Sequence, residues 1–237
     1  MKKFLFSLTA LLLFFASNAQ TADDIIAKHI EAIGGKEKLS NLNSVYVEST
    51  TEIMGNEASS KATILNGKGS KSVMDFNGQQ IIQVATDKSG WSINPFAGST
   101  SATAMSDEQY KLSEDAIYLP DPLFNYAERG ARVELQGQEK VGDINAYKIK
   151  YTNKDSAVST FYIDPSTNYI IQEVRPVEMQ GQPANMTISY SDYKKTDFGI
   201  MMAYSSGMDM GQFNFKNTVT KIEENKAVDP SIFEMPK

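Results

Sequence analysis

The chain has few residues placed to do chemistry. Its single histidine, His29, falls on a stretch with helical spacing, between an apolar stripe and a polar face. One histidine cannot assemble a multi-histidine metal site, nor a Ser-His-Asp arrangement without partners that only the fold could bring; it reads as a surface or capping residue. The acidic pairs Asp107-Glu108, Glu114-Asp115 and Glu223-Glu224 are adjacent in sequence. Adjacent side chains diverge on a helix or a strand, so the pairs read as solvated charges, not as a converging acid and base. Ser191-Asp-Tyr-Lys194 has the spacing of a Ser-x-x-Lys nucleophile but sits in a strand-like run without a companion Lys-Thr-Gly element. Gly67-Lys68-Gly69-Ser70 lacks the glycine spacing of a phosphate loop and leads into a strand. Asn185-Met-Thr187 is a glycosylation triplet with meaning only in a eukaryotic secretory protein. These residues describe a protein that is not an enzyme and carries no metal and no cofactor.

What remains is apolar or neutral. Strand faces that ought to meet solvent carry Ser, Thr, Asn, Gln, Tyr and Met, and methionines gather at Met201, Met202, Met208 and Met210, with Met179 and Met186 nearby. Methionine is flexible and polarizable, suited to greasy surfaces that accept varied shapes. Ordinary core filling and a ligand-lining surface are both open readings.

The stretch that would organise such a surface runs from Trp91 to Gly130. It opens with Trp91-Ser-Ile-Asn-Pro95-Phe96, passes through the small-residue run Ala97 to Ala104, and offers two helix starts. Ser106 and Gln109 have capping-box spacing. Asp121 precedes Pro122, a favoured first helical residue, and Leu123, Phe124, Tyr126 and Ala127 follow as a short apolar helix that Gly130 can end. A long excursion within a sheet protein is usually functional or disordered, and the apolar content here argues against disorder. It reads as a helical lid, over about residues 95–130, laid over one face of a curved sheet. Lid position and strand alternation nominate Trp91, Phe96, Leu112, Ile117, Leu123, Phe124 and Tyr126 from the lid, and Met186, Ile188, Met202 and Met210 from the strands, as the lining of a hydrophobic cavity. A register slip of one residue would exchange these for outward neighbours.

Around the lid the chain reads as strands. Thr21, Asp23 and Asp24 make a capped, acid-rich first turn, Ile26, Ile30 and Ile33 form one stripe, and Gly34-Gly35 ends this N-terminal helix. Hairpins then follow from about Ser44 to Trp91, including Asn77-Gly78, the strongest short turn signal available. The pattern resumes at Arg132 and runs to about Ile222, and Phe233 and Met235 offer two anchors for the tail. Regular short strands at this spacing indicate a mainly β, antiparallel protein.

The net charge is −6 over 237 residues, which argues against nucleic acid as a partner. No linker or composition shift divides the chain, so residues 20–237 are expected to form one domain, a monomer. Lys2 and Lys3, the apolar run Phe4 to Ala16 and Ser17-Asn18-Ala19 form a signal peptide over residues 1–19, cleaved after Ala19. The run of about 13 residues is short of the roughly 20 that span a bilayer. With no cysteine there is no disulfide, thiolate metal site or N-terminal lipidation. The mature protein is expected in the periplasm.

Together these features resemble the LolA/LolB lipoprotein-carrier superfamily. Phe161-Tyr-Ile-Asp-Pro165-Ser-Thr-Asn-Tyr-Ile-Ile-Gln-Glu173 resembles its strand, Asp-Pro-x-Thr, strand hairpin; Tyr190-Ser-Asp-Tyr193 with Gly199-Ile200 resembles the next pair, and Val228-Asp-Pro-Ser-Ile-Phe233 its ending. Ile25-Ile-Ala-Lys-His-Ile-Glu-Ala-Ile-Gly-Gly35 is similar to the opening of Bacteroidetes-type sorting proteins. The resemblance implies an open antiparallel half-barrel, with an N-terminal helix and a helical lid over its concave face, sheltering lipid or the acyl chains of a lipoprotein. It also implies an arginine on an early strand holding the lid, whereas the arginines here are Arg129, Arg132 and Arg175. A carrier or chaperone toward the outer membrane, with a receptor in either membrane, is the first expectation. A lipid- or lipoprotein-sensing module that binds a membrane partner is the alternative. With charged residues lining the concave face, both readings would fail.

Overall fold

The computed structural model describes residues 20–53, 55–179, 182–211 and 214–236; the expected leader at 1–19 lies outside them. Helix α1 (Ala22–Ile33) begins as its sequence requires: Thr21 and Asp24 form a reciprocal capping box, and Gly34 (φ 147°) ends it. Helix α2 (Lys36–Ser40) leads to the strands. They are β1 (Ser44–Ile53), β2 (Asn56–Leu65), β3 (Gly69–Phe76), β4 (Gln79–Thr86), β5 (Gly90–Asn94) and β6 (Ser99–Ala104). After the lid come β7 (Arg132–Val141), β8 (Ile144–Thr152), β9 (Val158–Ile163), β10 (Ile170–Met179), β11 (Gln182–Lys195), β12 (Met201–Asp209) and β13 (Asn214–Glu224). Asn77 and Gly78 both take positive φ, 54° and 76°, as a two-residue hairpin turn demands.

All pairings are antiparallel in one 13-stranded open sheet, ordered β6-β5-β4-β3-β2-β1-β13-β12-β11-β10-β9-β8-β7. Twisted sheets of more than about 10 strands curl, and this one is an open half-barrel. The order has a direct consequence for the lid. Its flanking strands, β6 and β7, are the two outer edges of the sheet, so the connection between them must cross the whole concave face.

Two apolar clusters hold the fold. In the larger, Ile25, Leu39, Leu42, Ile149, Phe161, Ile163 and Ile200 are at most 2% exposed and pack with Leu119, Leu123 and Phe124 of the crossing segment. The smaller joins Val84, Trp91 and Phe233. Of the two expected tail anchors, Phe233 is buried and Met235 is 49% exposed.

The crossing segment differs from its expected form in two places. The small-residue run is the edge strand β6, because Ser and Thr suit a half-exposed pleated surface, so the part that leaves the sheet starts at Met105. Helix α3 (Asp107–Ser113) starts at the Ser106/Gln109 capping box as read. No α-helix follows Pro122: Asn125 takes a left-handed conformation (φ 53°), which breaks helical hydrogen bonding, and only a 3-10 turn, Tyr126–Arg129, precedes Gly130.

Candidate functional site

Beneath the crossing segment the concave face holds two cavities that meet at Ser70, Ala116 and Arg175. The inner one, about 360 Å³, lies under residues 115–122 and is walled by His29, Tyr118, Asp121, Glu173, Tyr190, Tyr193, Met202, Ser206 and Asn217, among others. The outer one, about 530 Å³, lies under α3 between Met105, Gln109, Leu112 and Ser113 on one side and, on the other, Ala85, Val177, Met186, Ile188, Met208 and Met210 together with the polar Ser70, Ser72, Gln83 and Ser92.

The inner cavity is built from paired charges. Glu173 and Arg175 share one face of β10, two residues apart, as strand alternation requires. The guanidinium donates from Nε to Glu173 Oε1 at 2.5 Å and from a terminal nitrogen to Oε2 at 3.1 Å, and a further N–H reaches the Leu112 carbonyl of α3 at 3.2 Å. Tyr190 adds a hydroxyl donor to Glu173 at 3.2 Å. Burial, with the Glu173 carboxylate beside it, holds the Tyr190 phenol well above its usual range.

His29 is 1% exposed, not a surface residue. Its helix turns it inward, where Nδ1 donates to the Asn168 carbonyl at 2.8 Å and Nε2 lies 3.1 Å from Asp121 Oδ2. Asn168 closes the Asp164-Pro165 turn, whose carboxylate accepts from Ser166 and Thr167. Asp121 also accepts from the Leu123 amide at 2.8 Å. Burial alone would lower the imidazole pKa; the Asp121 carboxylate and the Asn168 carbonyl outweigh it, and the net shift is upward. The same pairing holds Asp121 below the usual carboxylate range despite its burial.

Glu114 and Asp115 are likewise not simply solvated. Glu114 is 3% exposed and accepts from Asn153 Nδ2 at 2.6 Å and Lys154 Nζ at 3.1 Å. Burial pushes it up to about 7, against the pull of Lys154. Asp115 accepts from Tyr151 at 3.2 Å, and burial raises it too, against those donors. By contrast Asp107 and Glu108 are exposed. Lys194 pairs with Asp192 at 2.7 Å, not with Ser191.

The expected lining residues are not gathered in one place. Leu112, Met186, Ile188 and Met210 border the outer cavity and Met202 the inner one. Ile117 is 1% exposed and Leu123 0%, so both are packed core. Leu123, Phe124 and Tyr126 border a separate groove beside α1, where the Tyr126 hydroxyl donates to Asp23. Phe96 is 55% exposed and stacks obliquely on Phe76, ring centres 5.8 Å apart. Trp91 alternates with Ser92, a wall of the outer cavity, and so points to the opposite face, where its indole donates to the Phe233 carbonyl at 2.9 Å. Sequence reading missed Glu173, Arg175, Asp121 and Asn153. Only Glu173-x-Arg175, opposite charges on one strand face between Ile171 and Val177, left a local trace.

The concave face therefore carries charge, and a cavity greasy throughout is not what the sheet and lid enclose. Most of the charges lie in the inner cavity, where Arg175 is matched with Glu173 and His29 with Asp121, while Asp115 accepts from Tyr151 and Asn153. Apart from Arg175 at their common boundary and the exposed Glu178, the outer cavity has uncharged walls.

No protein-family model matches the sequence, and no curated protein does. Solved structures do share the architecture. A LolA superfamily protein from Nitrosomonas europaea is 13% identical, with a TM-score of 0.60 over 90% of this chain and 97% of that one. A DUF1329 family protein from Desulfovibrio piger is 16% identical, TM-score 0.58, over 90% and 96%. A putative outer membrane lipoprotein-sorting protein domain from Vibrio parahaemolyticus is 10% identical, TM-score 0.56, over 89% and 94%. The chain has the LolA-superfamily fold.

Proposed function

We propose that the protein is a non-enzymatic periplasmic carrier that shelters a lipid, or the acyl chains of a lipoprotein, for transfer toward the outer membrane. The observation that supports this reading is the outer cavity: about 530 Å³, within the roughly 300–1,000 Å³ of small-molecule sites, with methionines from two strands on its floor. Burying an acyl chain is favourable by about 0.8 kcal/mol per methylene, so even a shallow groove retains one. Helix α3 roofs the cavity without a single fully buried residue, so little apolar contact must be broken to release a ligand. The similarity to the Vibrio sorting domain is one of fold and points the same way.

Native mass spectrometry of protein purified from its own periplasm, followed by organic extraction, tests the reading. Wild type is expected to carry a lipid-mass adduct that Met186→Asp with Ile188→Asp removes. A clean apo mass for wild type, with no lipoprotein retained on pull-down, would overturn it.

A further inference from the structure

We infer that the ligand seats a neutral ester or amide carbonyl on Arg175, so that the protein accepts esterified acyl chains and rejects free fatty acids. This rests on the carrier reading and specifies its ligand.

The two cavities suit the two ends of an amphiphile. Both cavities have apolar walls for methylenes; the outer adds uncharged Ser and Gln side chains, while the inner adds Tyr118, Ser206 and Asn217 beside its paired charges. Arg175 stands where the two meet. A guanidinium has five N–H donors. Those of Arg175 make three hydrogen bonds, two to Glu173 and one to the Leu112 carbonyl, which leaves two N–H groups unused. Its side chain keeps 20% of its surface accessible, against 2% for Glu173. A donor of this kind at the junction would meet the link between chain and headgroup.

Charge decides which link. The positive charge of Arg175 is already matched by Glu173, and Asp115 and Asp121 also line the inner cavity. A fatty-acid carboxylate entering here would be a buried anion without a counter-charge of its own, and an uncompensated buried charge is costly. An ester or amide carbonyl needs only the hydrogen bond.

The test is displacement of the neutral probe N-phenyl-1-naphthylamine from the full mature protein at pH 8. Monopalmitoylglycerol is expected to compete at least about tenfold better than palmitate, about one charge-assisted hydrogen bond or its loss. Glu173→Gln, which frees the Arg175 charge, is expected to raise palmitate affinity about tenfold and so cut the ratio. If that variant fails to fold, wild type carries the test alone: 1-O-hexadecylglycerol, the ether that lacks the carbonyl, should compete about tenfold more weakly than monopalmitoylglycerol, and equal competition by the two would overturn the inference. Equal affinity of monopalmitoylglycerol and palmitate for wild type, or a ratio indifferent to Glu173→Gln, would overturn the inference while leaving the carrier reading intact. A wild type that binds no probe would remove both.

Discussion

The two ends of the lid are fastened by different chemistry. Residues 114–121 are pinned: Glu114 and Asp115 hold the β8–β9 turn through Asn153 and Lys154 and the end of β8 through Tyr151, and Asp121 holds α1 through His29. The Ile117 carbonyl and the Leu119 amide bond to the β2–β3 turn at Gly67 and Asn66, at 2.8 and 3.1 Å. Helix α3 is fastened much more lightly, by Tyr110 to the Thr86 carbonyl at 2.9 Å and by Arg175 to Leu112 at 3.2 Å. The helix is not a free end, since the Met105 amide just before it bonds the Gly90 carbonyl at 2.9 Å, but few bonds hold its own residues. The outer cavity lies under this lightly held stretch and the inner cavity under the pinned one.

Alanine substitutions test that contrast, and the largest loss belongs to the pinned side's floor. Glu173→Ala leaves Arg175 buried without its partner and is expected to cost about 3–5 kcal/mol in chemical denaturation. Leu123→Ala, in closed core, should cost about 2–5 kcal/mol, whereas Met210→Ala on the half-buried cavity floor should cost less than about 1 kcal/mol. Equal losses at Leu123 and Met210 would erase the distinction between packed core and open cavity.

The pinned stretch also carries a pH dependence of definite sign. The folded-state pKa of His29 is raised, so its contribution is complete below the unfolded imidazole value and is lost as pH rises through the folded one. Glu114 is raised from 4.5 to about 7; the folded state therefore binds a proton more tightly across that window, and stability falls as pH rises through it. Both predict a lower urea midpoint at pH 8 than at pH 5, with the slope reduced in His29→Gln and in Glu114→Gln. A midpoint that rises over this range would contradict the assignment. The smallest effect is expected at the exposed Lys194–Asp192 pair, where Lys194→Ala should change stability by no more than about 0.5 kcal/mol.

What was legible in the sequence was local. The capped, acid-rich first turn at Thr21, the isoleucine stripe, Asn77-Gly78 and the Ser106 cap each act within a few residues, and each appears where read. The site depends on longer connections. His29 and Asp121 meet across 92 residues, and neither carries a spacing that announces the other. Asp121-Pro122 reads as a helix start because the same carboxylate geometry that caps a helix also accepts from Leu123 here, in a turn. Trp91 illustrates parity: its identity as a large buried aromatic was readable, but one step of alternation sends it to the face away from the lid. Because Leu123 and Phe124 are core, charging them would test folding, and the cavity is better tested at Met186 and Ile188.

Hydrogen exchange of the lid, measured on protein stripped of ligand and again after reloading, tests the contrast between its lightly held and pinned stretches most directly. Amides of residues 107–113 should exchange readily when empty and slow by about tenfold or more on loading, as expected for a low-stability element that a ligand orders. Those of residues 114–121 should be slow in both states. Uniform protection along the lid, or a change confined to residues 114–121, would contradict the account.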